Sequence, residues 1–330
     1  MNTQLRGRDF ITMKGYSKED LETILHLAFD LKMKRASGEP HALLVGKNLG
    51  MLFGASSTRT RISFETGMAQ LGGQAQFYTP EQLQLSKESW VDTAQVMSRY
   101  LDGLVVRMSS VPNVRELEYG EGHDIINTIA NNANIPVISA ACDKEHPCQV
   151  MADIMTMIEK CGPDYKRKKV AIVWVCSRWG KPTGVPHSMA IASGTLGMTL
   201  TLAYPEGFDL DPEYINEGKR LAEHSGGNIE IVHDINEAVK DASVIYGRGW
   251  GAVGKTREED LSMREPFVDW NIRMEHFDAA APNAVFMNSM PLDRERDAVP
   301  EVVDGSMSVI YDEAENRLHV QKAIMALLMG

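Results

Sequence analysis

The residues best suited to chemistry open at Ser56-Ser57-Thr58-Arg59-Thr60-Arg61, directly after the apolar run 48–53 and Gly54-Ala55. Three hydroxyl residues and an arginine at a strand-to-helix turn make an anion cradle. The first N–H groups of a helix lack intrahelical partners, and the helix dipole favours negative charge there. The hydroxyls add donors, and Arg59 adds a planar fork matched to phosphate oxygens. A plainer reading is an ordinary Ser/Thr cap, with Arg61 paired to Glu65 one turn on.

Around this turn, short β-rich apolar runs alternate with helical stretches. Strands are predicted at 48–53, 75–78, 103–107 and 136–139, then at 170–175, 199–203, 229–232, 243–246 and 284–288. Helices are predicted at 18–35, 61–71, 89–101, 146–160 and 314–328. Such alternation is the mark of parallel sheets built from βαβ units. Two successive series predict an α/β chain of two doubly wound parallel-sheet domains. Ligands of such sheets bind beyond the carboxyl ends of the strands.

Composition narrows the function classes. The 330 residues suffice for two domains, and 43% hydrophobic with 24% charged residues is the balance of a soluble globular protein. No apolar run approaches the roughly 18 residues that span a bilayer, and Met1 to Phe10 lack a signal-peptide stretch, so a cytoplasmic protein is expected. A net charge of −11 argues against nucleic acid, although local arginines can still hold an anionic small substrate. Cys142, Cys148, Cys161 and Cys176 form no CxxC pair and no metal-like spacing. No metal and no cofactor is expected.

Five motifs in register carry a family resemblance. Ser57-Thr58-Arg59-Thr60-Arg61 with Ser63-Phe64-Glu65 resembles the STRTR-SFE signature of aspartate and ornithine carbamoyltransferases. Lys87-Glu88-Ser89 with Asp92-Thr93 resembles their mobile loop and the helix after it, and Asp102-Gly103 leads to Arg107 at a strand end. His146-Pro147-Cys148-Gln149 with Ala152-Asp153 resembles HPxQ-xxAD, and Asp312-Glu313-Ala314-Glu315-Asn316-Arg317 resembles the C-terminal DEAENR of the ornithine and putrescine branch. The resemblance implies a carbamoyl-phosphate domain, 1–148 completed by 314–330, and an acceptor domain, 149–313. It implies that Ser57, Thr58, Arg59 and Thr60 hold the phosphate, and that Thr60, Arg107 and His146 point donors at the carbonyl oxygen. Gln149 would accept from the carbamoyl NH2, Met290 would offer a backbone carbonyl, and Arg317 would reach in from the last helix. Gln84 would complete a neighbouring subunit's site in a homotrimer with shared sites, on a loop about one residue shorter than in ornithine enzymes.

Three departures concern the acceptor. The late HCLP of the ornithine branch reads Asn288-Ser289-Met290-Pro291, replacing a cysteine sometimes given a proton role by a far weaker acid. Its DVWxSMG reads Arg248-Gly249-Trp250-Gly251-Ala252-Val253-Gly254, so an aspartate that meets the acceptor's ammonium becomes Arg248. An arginine about 4 Å from an ammonium would cost roughly 4 kcal/mol at an effective dielectric near 20, which disfavours ornithine or putrescine in its usual pose. The turn after the fifth strand, 176–188, is longer and proline-bearing. It resembles that of carbamoyltransferases with unassigned or N-acylated acceptors, whose chains form a shallow knot in the second domain. Arg178, Lys181 and Arg248, with Trp250 and Ser289, are the expected acceptor residues. The expectation is a carbamoyltransferase from carbamoyl phosphate to a small amine other than ornithine, carboxylate-bearing, or the reverse phosphorolysis. The alternatives are an ornithine or putrescine enzyme and a catalytically silent binding or scaffold paralogue.

Overall fold

A computed structural model describes residues 4–108, 117–178 and 180–330. The chain divides into two compact units, Met1–Ala152 with Glu315–Gly330, and Asp153–Ala314.

The first unit holds a four-stranded parallel sheet of β1 (Asn48–Phe53), β2 (Gln74–Tyr78), β3 (Gly103–Met108) and β4 (Val137–Cys142), ordered β2-β1-β3-β4. Its central strands are mostly apolar and buried, as βαβ crossovers that place helices on both faces impose. The main helices are α1 (Lys18–Ser37), α2 (Thr58–Gln70), α3 (Trp90–Met97), α4 (Glu121–Asn132) and the start of α5 (Pro147–Cys161). Helix α1 begins at a capping box, Ser17 with Asp20, and stops at Gly38, whose φ of 70° suits a residue without Cβ. A core of Leu52, Leu104, Val106, Ile126 and Ile129 packs α3 and α4 on this sheet.

The order reverses between β1 and β3, so the ligand-binding crevice of this sheet lies off their carboxyl ends. The turn into α2 follows β1, and Arg107 lies in β3.

The second unit holds β5 (Lys169–Val173), β6 (Thr199–Ala203), β7 (Asn228–Val232), β8 (Ala242–Gly247) and β9 (Val285–Met287), all parallel and ordered β7-β6-β5-β8-β9. Its helices include α6 (Gly184–Leu196), α7 (Pro212–Ser225), α8 (Ile235–Val239), α9 (Arg257–Arg264), α10 (Met274–Ala279) and α11 (Pro300–Val303). Ala171, Val173, Ile245, Phe286 and Val302 form part of the core. Here the reversal falls between β5 and β8, so the segments after those strands, 174–178 and 248–254, lead toward the second crevice. The two unit boundaries fall inside α5 and inside the last helix, α12 (Ile310–Met329).

Candidate active site

In the first unit, Ser57 is the N-cap of α2, with extended backbone and no side-chain capping bond, and the first turn carries no acidic residue. The hydroxyl is therefore not spent on its own helix. Gly54 N–H donates to the Arg107 carbonyl at 2.8 Å, which ties the turn into α2 to the end of β3. The register of β3 against β4 slips between Val106 and Arg107, from Val106 opposite Ser139 to Arg107 opposite Ala141. Such a bulge re-aims the side chain that follows it.

Thr60 and Arg317 are each 2% exposed, and they meet. Arg317 Nη1 donates to Gln149 Oε1 at 2.6 Å, and Nη2 donates to Thr60 Oγ1 at 3.1 Å. With its amide turned to satisfy both ends, Gln321 accepts from Arg317 Nη2 at 2.8 Å and donates to Ser63 Oγ. Arg317 thus fixes the acceptor side of Gln149 and Thr60 with one rigid fork. His146 lies directly before α5, and its carbonyl accepts from the Gln149 and Val150 amides at 3.1 and 3.2 Å. Arg59 and Arg107 are half-buried and Thr58 is exposed. Arg61 turns outward, paired with Glu65 at 2.9 Å and stacked 3.9 Å over the Phe77 ring. Gln84 is exposed, on the loop between Pro80–Gln82 and α3, where its carbonyl accepts from the Lys87 and Glu88 amides.

In the second unit the basic residues take separate partners. Arg178 is 58% exposed and sits 3.0 Å from Asp293. Lys181 is buried and donates to Asp297 at 3.0 Å. Trp250 is fully buried, its indole N–H given to the Phe208 carbonyl at 2.9 Å. Arg248, 6% exposed, donates from Nη1 to Ser289 Oγ at 2.8 Å. Gly249 follows it because a Cβ there would stand 2.6 Å from the Val175 carbonyl and from Ser177 Cβ. The backbone at Ser177 and Trp250 is pinned by Arg264, which donates to their carbonyls at 3.1 and 2.7 Å and to Asp260 at 2.7 Å.

Behind Ser289 lies a network to which the sequence reading gave no role. Tyr246 Oη donates toward Asp153 Oδ2 at 3.3 Å and Glu313 Oε1 at 3.1 Å. Asn288 N–H donates to Glu313 Oε2 at 2.9 Å, and its side chain bonds the Gly247 carbonyl and Asp297. Asn288 Oδ1 accepts from Met290 N, which holds Met290 at a φ of 43° before a cis peptide bond to Pro291. Burial pushes the Glu313 carboxyl well up, and the charge of Asp153 and the hydrogen bond to it push it further. Burial also pushes Tyr246 well up and Arg248 down. A signal for this network did exist. Asp153 follows Gln149 by one helical turn, and Glu313 precedes Arg317 by one turn, so each lies on the same helix face as a candidate site residue.

Residues 8–159 match the model of the aspartate/ornithine carbamoyltransferase carbamoyl-P binding domain, and residues 168–328 match that of the Asp/Orn binding domain. The chain belongs to the aspartate/ornithine carbamoyltransferase family. It is a carbamoyltransferase with two parallel-sheet α/β domains. It is 40% identical to the ornithine carbamoyltransferase of Thermococcus kodakarensis, over 100% of this chain and 99% of that one. The solved ornithine carbamoyltransferase of Pyrococcus furiosus superposes with a TM-score of 0.89 at 39% identity, covering 99% of each chain. A solved acetylornithine transcarbamylase, complexed with acetylcitrulline, gives 0.88 at 30% identity, covering 98% of this chain and 99% of that one.

These likenesses overturn the expectation of an acceptor other than ornithine. Carbamoyltransferases resembling the chain end to end at about 40% identity carry the ornithine name. The physical error was to treat Arg248 as a lone cation. Acids face Arg248 on several sides: Asp297, itself paired with Lys181, and the buried Asp153 and Glu313. The roughly 4 kcal/mol repulsion of an arginine–ammonium pair without such neighbours therefore overstates the cost. Among the described residues no group of three or more His, Cys, Asp or Glu could hold a metal ion, and no helix is long and apolar enough to cross a membrane.

Proposed function

We propose that the chain transfers the carbamoyl group of carbamoyl phosphate to the side-chain amine of ornithine. The observation that carries the reading is the Thr60–Arg317–Gln149 cluster at the phosphate turn, combined with end-to-end likeness to ornithine carbamoyltransferases.

Ser57, Thr58, Arg59 and Thr60 take the phosphate oxygens, with the first-turn amides of α2 behind them. Thr60, Arg107 and His146 direct donors at the carbonyl oxygen as it gains negative charge, the point at which fixed dipoles contribute most. Gln149 Oε1, held by Arg317, accepts from the carbamoyl NH2. Met290 offers its carbonyl to the same group, and Ser289 with Arg248 forms the acceptor wall. Pre-set donors and a held nucleophile supply the orientation that an otherwise bimolecular attack lacks. Domain roles follow the same division: carbamoyl phosphate on the unit built around β1 to β4, and the amino acid on the unit built around β5 to β9.

The assembly we propose is a cytoplasmic homotrimer in which exposed Gln84 reaches a neighbouring subunit's site. Mixing two inactive variants, Gln84→Ala and His146→Ala, would restore part of the activity if sites are shared. For the reaction itself, purified protein is incubated with carbamoyl phosphate and ornithine, and phosphate and citrulline are followed together. Equal release of both is expected. Carbamoyl phosphate that binds without turning over on ornithine would overturn the reading.

A further inference from the structure

The loop that carries His146 is short and held from two sides. It runs from the end of β4 at Cys142 to the start of α5 at Pro147. Asp143 accepts from the Gly120 and His123 amides at the start of α4, the second at 3.0 Å. Glu145 is 0% exposed, and its polar groups are engaged on every side. Its carboxylate accepts from Thr12 Oγ1 and from the Met13 amide, the latter at 2.9 Å. Its carbonyl accepts from the Cys142 amide at 2.9 Å, and its own amide donates to Cys142 Sγ at 3.2 Å. His146 is the next residue, and its carbonyl is spent on the first turn of α5.

Burying a carboxylate is costly unless donors meet it. Here the donors come from residues 133 and 132 positions away. A plainer use for these bonds would be to fasten the N-terminal segment to the sheet, but that segment is fastened without them. Phe10 bridges to Ile138 beside β4, its amide donating to the Val137 carbonyl at 2.8 Å and its carbonyl accepting from the Ser139 amide at 2.9 Å. Asp9 accepts from the Val137 amide at 2.8 Å. The Thr12 and Met13 bonds land beyond the strand, on the loop, and fix the residue that precedes His146. Loops are ordinarily the mobile part of a fold, and this one is tied down at both acids.

We propose that Glu145 is the positioning residue for His146: its carboxylate, held by Thr12 and Met13, fixes the backbone from which the imidazole reaches the carbonyl oxygen of carbamoyl phosphate. Glu145 acts only through His146. The inference rests on the role proposed for His146 above. A donor aimed at charge that develops in the transition state acts on kcat more than on binding. A misplacement of about 1 Å costs on the order of a hundredfold.

The test uses the full chain with Thr12→Val, Glu145→Gln, Glu145→Ala, His146→Ala and the Glu145→Gln/His146→Ala double. Glu145→Ala is expected to lower kcat about a hundredfold while the Kd of carbamoyl phosphate stays within about threefold. Thr12→Val and Glu145→Gln each leave the Met13 amide an acceptor, so both should fall between Glu145→Ala and wild type. The double should be no slower than His146→Ala, because nothing is left to position. A double slowed further by the full factor of Glu145→Gln would overturn the proposal. So would wild-type kcat in both Thr12→Val and Glu145→Gln, which decide the matter even if Glu145→Ala does not fold. Nitrogen NMR of labelled histidines gives an arm independent of turnover. The ring signals missing from His146→Ala should move in Thr12→Val and Glu145→Gln, while those of His224 and His276 in the second unit stay. Unmoved His146 signals sink the proposal even if ornithine proves to be the acceptor. If wild type is silent on ornithine while those signals move, the acceptor reading fails and the positioning stands.

Discussion

Arg317→Lys isolates the geometry of the phosphate side. The wild-type guanidinium spends two nitrogens on two acceptors, Gln149 Oε1 at 2.6 Å and Thr60 Oγ1 at 3.1 Å, in a site 2% exposed. A lysine keeps the charge but ends in one shorter, compact donor head, so at most one of those bonds survives. Each hydrogen bond to a charged group is worth about 1.5–3 kcal/mol, and water does not reach the orphaned acceptor. If the fork orders Gln149 and Thr60 for the carbamoyl group, that loss appears in affinity as about ten- to a hundredfold. The assay is titration calorimetry with carbamoyl phosphate and, separately, inorganic phosphate. Inorganic phosphate reads the turn at 57–60 but not Gln149, so it should weaken less. A folded variant with carbamoyl phosphate affinity within twofold of wild type would refute the reasoning. Equal weakening of both ligands would show that Arg317 merely supports the turn.

Three further outcomes are expected. Burial holds His319 down to about 4 from the usual 6.5, against the opposing pull of Glu315. The folded state then binds this proton less tightly than the unfolded chain, so the contribution is full above pH 6.5 and is lost as pH falls through about 4. It amounts to about 3 kcal/mol at the acid end, and urea denaturation at pH 7.5 and 4.5 should show a smaller difference in His319→Gln than in wild type. Lys181→Met should cost about 3–5 kcal/mol by stranding buried Asp297, whereas Arg178→Ala, at an exposed pair, should change stability by less than about 0.5 kcal/mol in the same assay. Gly249→Ala should cost about 1–3 kcal/mol by forcing a methyl group against the Val175 carbonyl, with thermal denaturation as the check and a lowered kcat from displacement of Arg248.

Much of the fold is legible in the sequence because its signals are local. The run Asn48 to Phe53 ends in small residues and hydroxyls that only a strand-to-helix turn uses well, and the apolar runs that follow reproduce both sheets. The strand-to-helix turn at Ser57, Thr58, Arg59 and Thr60 is legible for the same reason, since these residues are adjacent. Arg248 fails that test. Its meaning depends on Asp153, Glu313 and Asp297, which lie 95, 65 and 49 residues away and whose convergence no local pattern announces. Gln321 escapes for the same cause, since it matters only once Arg317 is seen beside Ser63. Electrostatics read from one charge, without its compensating neighbours, gave the wrong acceptor.

The fork from Arg317 to Thr60 also orders events during synthesis. The two residues stand 257 positions apart. At translation rates of about 5–20 residues per second, on the order of ten to fifty seconds separate their emergence. A nascent chain therefore displays the hydroxyl turn long before the guanidinium that braces it exists. The Thr60–Arg317–Gln149 cluster becomes complete only after both sheets have been made, so an unfinished chain holds the turn without its brace.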